Sequence, residues 1–271
     1  PAGTGSCLVS PGGRMHRMME AITSKNNQWI KKASQLKSKK YRDKFNMFLL
    51  EGMRSVEDAC IQEIAGCICL VAESLKEEEK ILSLADRGAR LKWRFFAVRD
   101  DLMRLVVGTE HSQGIILLAE KTESNEENLL KSPLGHYVLL DQIQDPGNMG
   151  TIIRTAAAAG VRGLLLTEGC CDIYSEKVVR SSMGSIFRIP IYTNIHIDFL
   201  KKFMKERNIP FYAAALQDAI PYRNVSVGED AVFVFGNEGN GVSSDILALS
   251  TKNIYIPMKS SVESLNVSAA A

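Results

Sequence analysis

The chain has 271 residues, 45% of them hydrophobic, with 33 basic and 31 acidic side chains and a mean hydropathy near zero. That length holds one large domain or two ordinary ones, and two are expected. No run approaches the roughly 18 apolar residues that a membrane-spanning helix needs, and no charged-then-apolar signal opens the sequence, which makes the cytoplasm the default location.

The six cysteines, Cys7, Cys60, Cys67, Cys69, Cys170 and Cys171, show neither a CxxC spacing nor the density of a disulfide scaffold. They read as reduced thiols, and no metal site is expected. The net charge of +2 conceals an asymmetry: between Arg14 and Arg54, eleven Lys or Arg face three acids, which leaves 22 basic and 28 acidic residues elsewhere. A basic leading segment on a mildly acidic body is an electrostatic footprint for a polyanion, against the plainer alternative of a solvated helix face.

Residues 1 to 14 are small, polar and Gly/Pro-rich, begin without Met, and read as an expression remnant or a disordered tail. From 15 to 120, strands and helices alternate. KFNMFLLEG reads as a strand, MRSVEDACIQEIAG as a helix ended by Gly66, CICLVA as a buried strand, and WRFFAV and GIILLAE as two more. Residues 121 to 134 are polar, partly acidic and broken by Pro133, as a linker would be. The second unit, 135 to 271, opens with the buried strand HYVLLDQI, followed by a helix over 151–159. RGLLLTE reads as a strand, EKVVRSSMG as a helix, FRIPIYT as a strand and DFLKKFMKERN as a helix. IPFYAAAL, AVFVFG and NIYIPM bring the count to about six strands, and this βαβ alternation predicts a mainly parallel sheet with helices on both faces.

Three stretches carry chemistry. In DQIQDPGNMGTIIRTAAAAG (141–160), Pro146 and two glycines predict a loop through 150, with the helix starting after it. That register puts Arg154 in the first turn, where the helix dipole disfavours a cation and an acid or an anionic ligand has to compensate. The second stretch, AVFVFGNEGNGVSSD (231–245), is an apolar strand running into a glycine-rich turn that brings backbone close to a ligand. It fails as a dinucleotide fingerprint, because Ser244 stands where Gly or Ala is needed, and as a P-loop, because Val242 follows Gly241 where Lys is needed. In the third, NIYIPMKSSVESLNVSAAA (253–271), Ser264 and Asn266 sit at the entrance of another helix, where either alone could be a cap.

In this order and spacing, DPGNMGTIIR, FGNEGNG and IPM followed by LNVS resemble the three motifs of the SpoU-type (TrmH-like) RNA ribose 2′-O-methyltransferases of the SPOUT superfamily, over residues 135 to 271. CCDIYSEKVVRSSMGSIFRIPI looks like the segment between the first and second motifs. KYRDKFNMFLLEGMRSVEDA and VVGTEHSQGIILLAE are similar to a substrate-binding domain often fused ahead of it, a small α/β fold related to kink-turn-binding ribosomal proteins.

The resemblance implies an α/β domain with a C-terminal trefoil knot, a rare exception to the rule against threaded chains. It implies S-adenosyl-L-methionine as cofactor, held largely by backbone at Gly236, Ile256 and Leu265, and a homodimer whose site is completed near a twofold interface. Its functional polar positions fall on Asn148, Arg154, Glu238, Ser264 and Asn266, with Arg154 facing RNA either as a general base or as a positioning group. The strong basicity of a guanidinium makes the first of these roles demanding. Lys31, Lys32, Lys37, Lys39, Lys40 and Arg42 in the leading domain, with Lys177 and Arg180, become the candidate RNA contacts. Ribosomal RNA is the expected substrate, with transfer RNA and a non-catalytic RNA-binding paralogue as alternatives. Family members continue past the last motif with a full amphipathic helix, so a native chain longer than Ala271 is expected.

Overall fold

The protein is described here from a computed structural model, over residues 19–107, 112–122, 124, 126–259 and 265–271. Its leading domain contains β1 (Glu20–Ile22), α1 (Gln28–Leu36), α2 (Lys39–Phe45), β2 (Met47–Glu51), α3 (Met53–Ile61), β3 (Ile68–Ala72), α4 (Glu79–Arg90), β4 (Arg94–Val98), α5 (Asp100–Val106) and β5 (Ile115–Glu120). The strands form a mixed sheet in the order β1-β4-β3-β5-β2: β3 and β4 are parallel, and β5 runs antiparallel to both β3 and β2. The continuous apolar runs have a physical reason, since the sheet is buried on both faces. Phe48, Leu50, Cys69, Val71 and Leu117 pack into one core, while the alternating Leu49, Ile68, Leu70, Ile116 and Leu118 pack into another.

The second domain runs α6 (Glu126–Leu130), β6 (His136–Leu140), α7 (Pro146–Ala158), β7 (Gly163–Thr167), α8 (Glu176–Ser182), β8 (Ile191–Ile195), α9 (Ile197–Arg207), β9 (Phe211–Ala214), β10 (Ile220–Pro221), β11 (Ala231–Phe235), α10 (Ser244–Leu247), β12 (Lys252–Tyr255) and α11 (Val267–Ala270). Its seven strands lie in the order β10-β12-β9-β11-β6-β7-β8 and every pairing is parallel. The crossing of the chain implied by the family resemblance depends on the path from β12 to α11, and residues 260–264 on that path lie outside the described residues. No helix among the described residues is long and apolar enough to cross a membrane.

The structure corrects three sequence expectations. The linker contains α6, whose Leu129 is fully buried against the core around Tyr137 and Phe203. Strand β8 starts only after Pro190, because 185–187 form a 3-10 turn. Helix α7 starts at Pro146 instead of after Gly150: Asp145 is its N-cap, accepting the Asn148 N–H at 2.8 Å, and a proline costs nothing in a first turn whose N–H groups have no intrahelical partner.

The two domains share a packed seam. The Phe48 and Tyr174 rings lie 4.6 Å apart, Arg188 reaches Asp58 at 3.4 Å, and Arg42 forks onto Asp172 with contacts of 3.0 and 2.7 Å.

Candidate functional site

Strands β6 and β11 are direct neighbours, with Phe235 opposite Leu140, so the loops leaving their carboxyl ends emerge side by side. The turn after β11 closes on itself through two hydrogen bonds between Asn237 and Gly241, each 2.9 Å. A Cβ on Gly236 would overlap the backbone of Gly241 and Val242, so this glycine is required by the turn's own closure. The Asn237 amide donates to the Gln142 carbonyl at 2.9 Å, fastening the second motif to the first. Beneath them lies Asp141, 2% exposed, which accepts from Thr167 Oγ1 at 2.9 Å and from the Ser243 N–H at 2.7 Å. Sequence reading missed this residue, although a lone acid ending a fully apolar strand was its signal.

On this base the three motifs join. Glu238 accepts the N–H groups of Gln144 and Asp145 at 3.4 and 3.3 Å and the Asn148 side-chain amide at 3.0 Å. Asn148 in turn accepts from the Asn266 amide at 3.0 Å, while Asn266 caps α11 by accepting the Ser268 N–H at 2.9 Å. Partial burial works against the charge on Glu238, but the hydrogen bonds from Asn148 and from the backbone of Glu238, Gln144 and Asp145 outweigh it and hold the carboxyl below its ordinary range. The Asn148 N–H does the same for Asp145, with help from Lys177, whose ammonium lies 3.5 Å away. Glu238 thus ties the Asn148 side chain to the backbone of Gln144 and Asp145, and the network lies at the surface.

Arg154 stands apart from this network. With α7 starting at Pro146 it occupies the third turn, so the helix dipole makes no demand on it. It lies six residues beyond Asn148, about 9 Å along the axis and about a third of a turn around it. Its exposed guanidinium donates to Met183 Sδ at 3.0 Å, and among the described residues it makes no ion pair. Ser264 lies outside the described residues.

Ile256 and Leu265 line a groove of about 910 Å3 that takes in Leu216, Phe235 and Met258 at the carboxyl ends of β9, β11 and β12 and extends along the sheet to Gly135 and His136 at the amino end of β6. Leu216 and Leu265 are 77% and 42% exposed, apolar surface that the described residues leave uncovered. Carbon-rich walls beside exposed loop backbone fit the adenine and thioether parts of S-adenosylmethionine. Gly236 is not among the lining residues. Nearby thiols offer no competing chemistry: burial pushes Cys170 up to about 11 and Cys171 up to about 12, which keeps both protonated.

Among the candidate RNA contacts, Lys31, Lys37, Lys39 and Lys40 are exposed, and Lys32 lies 5.1 Å from the ring centres of both Trp29 and Phe45. Arg180 and Lys177 are also exposed. Arg42 is a correction. It is 5% exposed, bound to Asp172 and to the Leu36 and Lys37 carbonyls at 2.8 Å each, so its guanidinium is consumed inside the protein.

A family model described as the SpoU rRNA methylase family matches residues 135–271, and one described as an MRM3-like substrate binding domain matches residues 27–117. The 23S rRNA (guanosine(2553)-2′-O)-methyltransferase RlmP of Bacillus subtilis is 35% identical, over 93% of this chain and 96% of its own length. The mitochondrial rRNA methyltransferase 3 of Homo sapiens is 29% identical, over 87% of this chain and 68% of its own. The structure of an AdoMet-bound rRNA methyltransferase from Sinorhizobium meliloti superposes with a TM-score of 0.81 at 27% identity, covering 93% of this chain and 94% of that one. With its three motif loops joined through Glu238, Asn148 and Asn266, and matched from 135 to 271, the chain belongs to the SpoU rRNA methylase family.

Proposed function

We propose that this protein methylates a ribose 2′-hydroxyl of ribosomal RNA, using S-adenosylmethionine, as a cytoplasmic homodimer. The observation that carries the reading is the hydrogen-bonded line Glu238–Asn148–Asn266, which brings residues from all three motifs to one exposed point. Bound S-adenosylmethionine supplies an electrophilic methyl on a sulfonium. The walls of Ile256 and Leu265 and the turn that Gly236 closes are the proposed holders of that cofactor. Asn148 and Asn266, each held by a neighbour, present amide groups that orient the ribose, and Ser264 belongs to the same proposed set.

The hydroxyl is a poor nucleophile until its proton moves toward a base, and Arg154 is the group proposed to place the ribose or its phosphate, or to take that proton. Its distance from the Asn148 network within one chain is what a twofold partner would make good, each protomer lending Arg154 to the other's site. Lys31, Lys32, Lys37, Lys39 and Lys40, with Lys177 and Arg180, supply electrostatic attraction to phosphates.

The test is direct. Purified protein is incubated with S-adenosylmethionine and unmodified large-subunit ribosomal RNA or bulk transfer RNA, and ribose methylation is mapped by mass spectrometry. One methylated ribosomal nucleotide is expected. Methylation of transfer RNA alone would move the substrate, and methylation of neither would sink the enzymatic reading. Sedimentation at micromolar concentration should give about twice 29.9 kDa.

A further inference from the structure

The seam between the domains opens into a cleft of about 390 Å3, lined by four separate stretches: Glu51 and Arg54 where β2 passes into α3, Val106 at the end of α5, Gln113 ahead of β5, and Glu176 and Arg180 on α8. Its rim is fixed, since Gln113 Oε1 accepts the Met53 N–H at 2.7 Å and ties the approach to β5 to the first residue of α3. Its floor is apolar, made by Leu49, Val106, Ile116 and Val179, all buried. The walls belong to different domains, which the Arg42–Asp172 and Arg188–Asp58 pairs also join.

Arg54 and Arg180 are exposed, and among the described residues neither makes an ion pair, although Glu176 shares the cleft with both. A guanidinium that makes no ion pair among the described residues is a planar, bidentate donor suited to phosphate. A simple anion would leave the apolar floor unused, and an aliphatic ligand would leave the arginines unused. A nucleotide uses every part: phosphate on the guanidiniums, base faces on the aliphatic floor, and base N–H groups toward Glu176.

The cleft also stands next to the motif residues. Helix α8 carries both, with Lys177 reaching Asp145, the cap of α7, while Glu176 and Arg180, one turn apart on the same helix, face the cleft. On the reading of this protein as an RNA methyltransferase, we propose that the interdomain cleft is a second RNA subsite. It takes one unpaired nucleotide adjacent to the target, its phosphate between Arg54 and Arg180 and its base on the Leu49–Ile116–Val179 floor.

The experiment uses the intact chain and an RNA hairpin carrying the nucleotide that the wild type methylates. If the wild type methylates no ribosomal RNA, the functional reading falls, a different failure from the one tested next. Given a methylated hairpin, Arg54→Ala should weaken its binding on the order of ten-fold and leave S-adenosylmethionine affinity and melting temperature unchanged, with Arg54→Lys restoring only part. Single abasic substitutions at the nucleotides flanking the target then locate the base: at one position the loss in wild type should largely disappear in Arg54→Ala, a non-additivity that marks a shared contact. Wild-type-like binding by Arg54→Ala, or additive losses at every flanking position, would overturn the proposal.

Discussion

The two domains bury their sheets in the same way and expose different things at the edges. In the leading domain the sheet is mixed, so loops leave it at both ends, and its exposed charge lies along the helices, where Lys31, Lys37, Lys39 and Lys40 stand out from α1 and α2 and the segment joining them. In the second domain all strands run parallel, so the loops after β6, β11 and β12 emerge on one side and Asn148, Glu238 and Asn266 meet there. Parallel strands concentrate polar loop residues at their carboxyl ends, while a mixed sheet distributes them, so polar side chains converge at one edge of the second domain and exposed cations spread along the helices of the first.

The sharpest way to break that division is Arg154→Ala, which should cost methyl transfer about a hundred-fold or more while leaving S-adenosylmethionine affinity within a few-fold. Arg154→Lys should be nearly as poor, because an ammonium cannot reproduce a planar fork. A near-normal rate in either variant would make Arg154 an ordinary surface residue and move the chemistry to Ser264, Asn266 or the RNA.

The seam comes next in size. Removing Asp172 leaves the buried Arg42 guanidinium without its partner, and the expected destabilisation is roughly 3 kcal/mol. Asp172→Ala should therefore lower the calorimetric melting temperature, while Arg42→Met with Asp172→Leu should recover most of the loss. Unchanged melting in Asp172→Ala would show that the two domains fold without regard to each other.

Replacing Lys31, Lys32, Lys37, Lys39 and Lys40 by Glu tests the surface role. RNA affinity should fall and its salt dependence flatten, with S-adenosylmethionine binding intact. Equal RNA affinity across a salt titration would remove the leading domain from substrate binding.

The smallest effect concerns pH. Glu238 is held below its ordinary value near 4.5, so its ionised form stabilises the folded loops above that pH, and this contribution is lost as pH falls through the lower, folded-state value. Between pH 6 and 8 Glu238 should stay ionised, and the pH profile of Glu238→Gln should match the wild type over that range at lower overall rate. A rate inflection near pH 7 present in wild type and absent in Glu238→Gln would contradict this.

Much of this protein was legible in its residues alone. Two-sided apolar runs specified the strands of both sheets except the short edge strands β1 and β10, and three motifs in order carried the family resemblance, because local periodicity and glycine-rich turns are written in adjacent positions. Reading failed where the deciding partner lay far along the chain or where a local rule was misapplied. Pro146 looked like a helix breaker and is a helix start, since Asp145 caps the turn that it opens. Arg42 looked like one more cation in a basic run, and only folding brought Asp172, 130 positions away, into its fork. The meeting of Asn148 with Glu238, 90 positions apart, and with Asn266, 118 apart, was likewise decided by tertiary structure. Sequence sets the charge and hydrogen-bonding capacity of each group, but burial and distance decide whether that capacity is spent within the protein or left for a ligand.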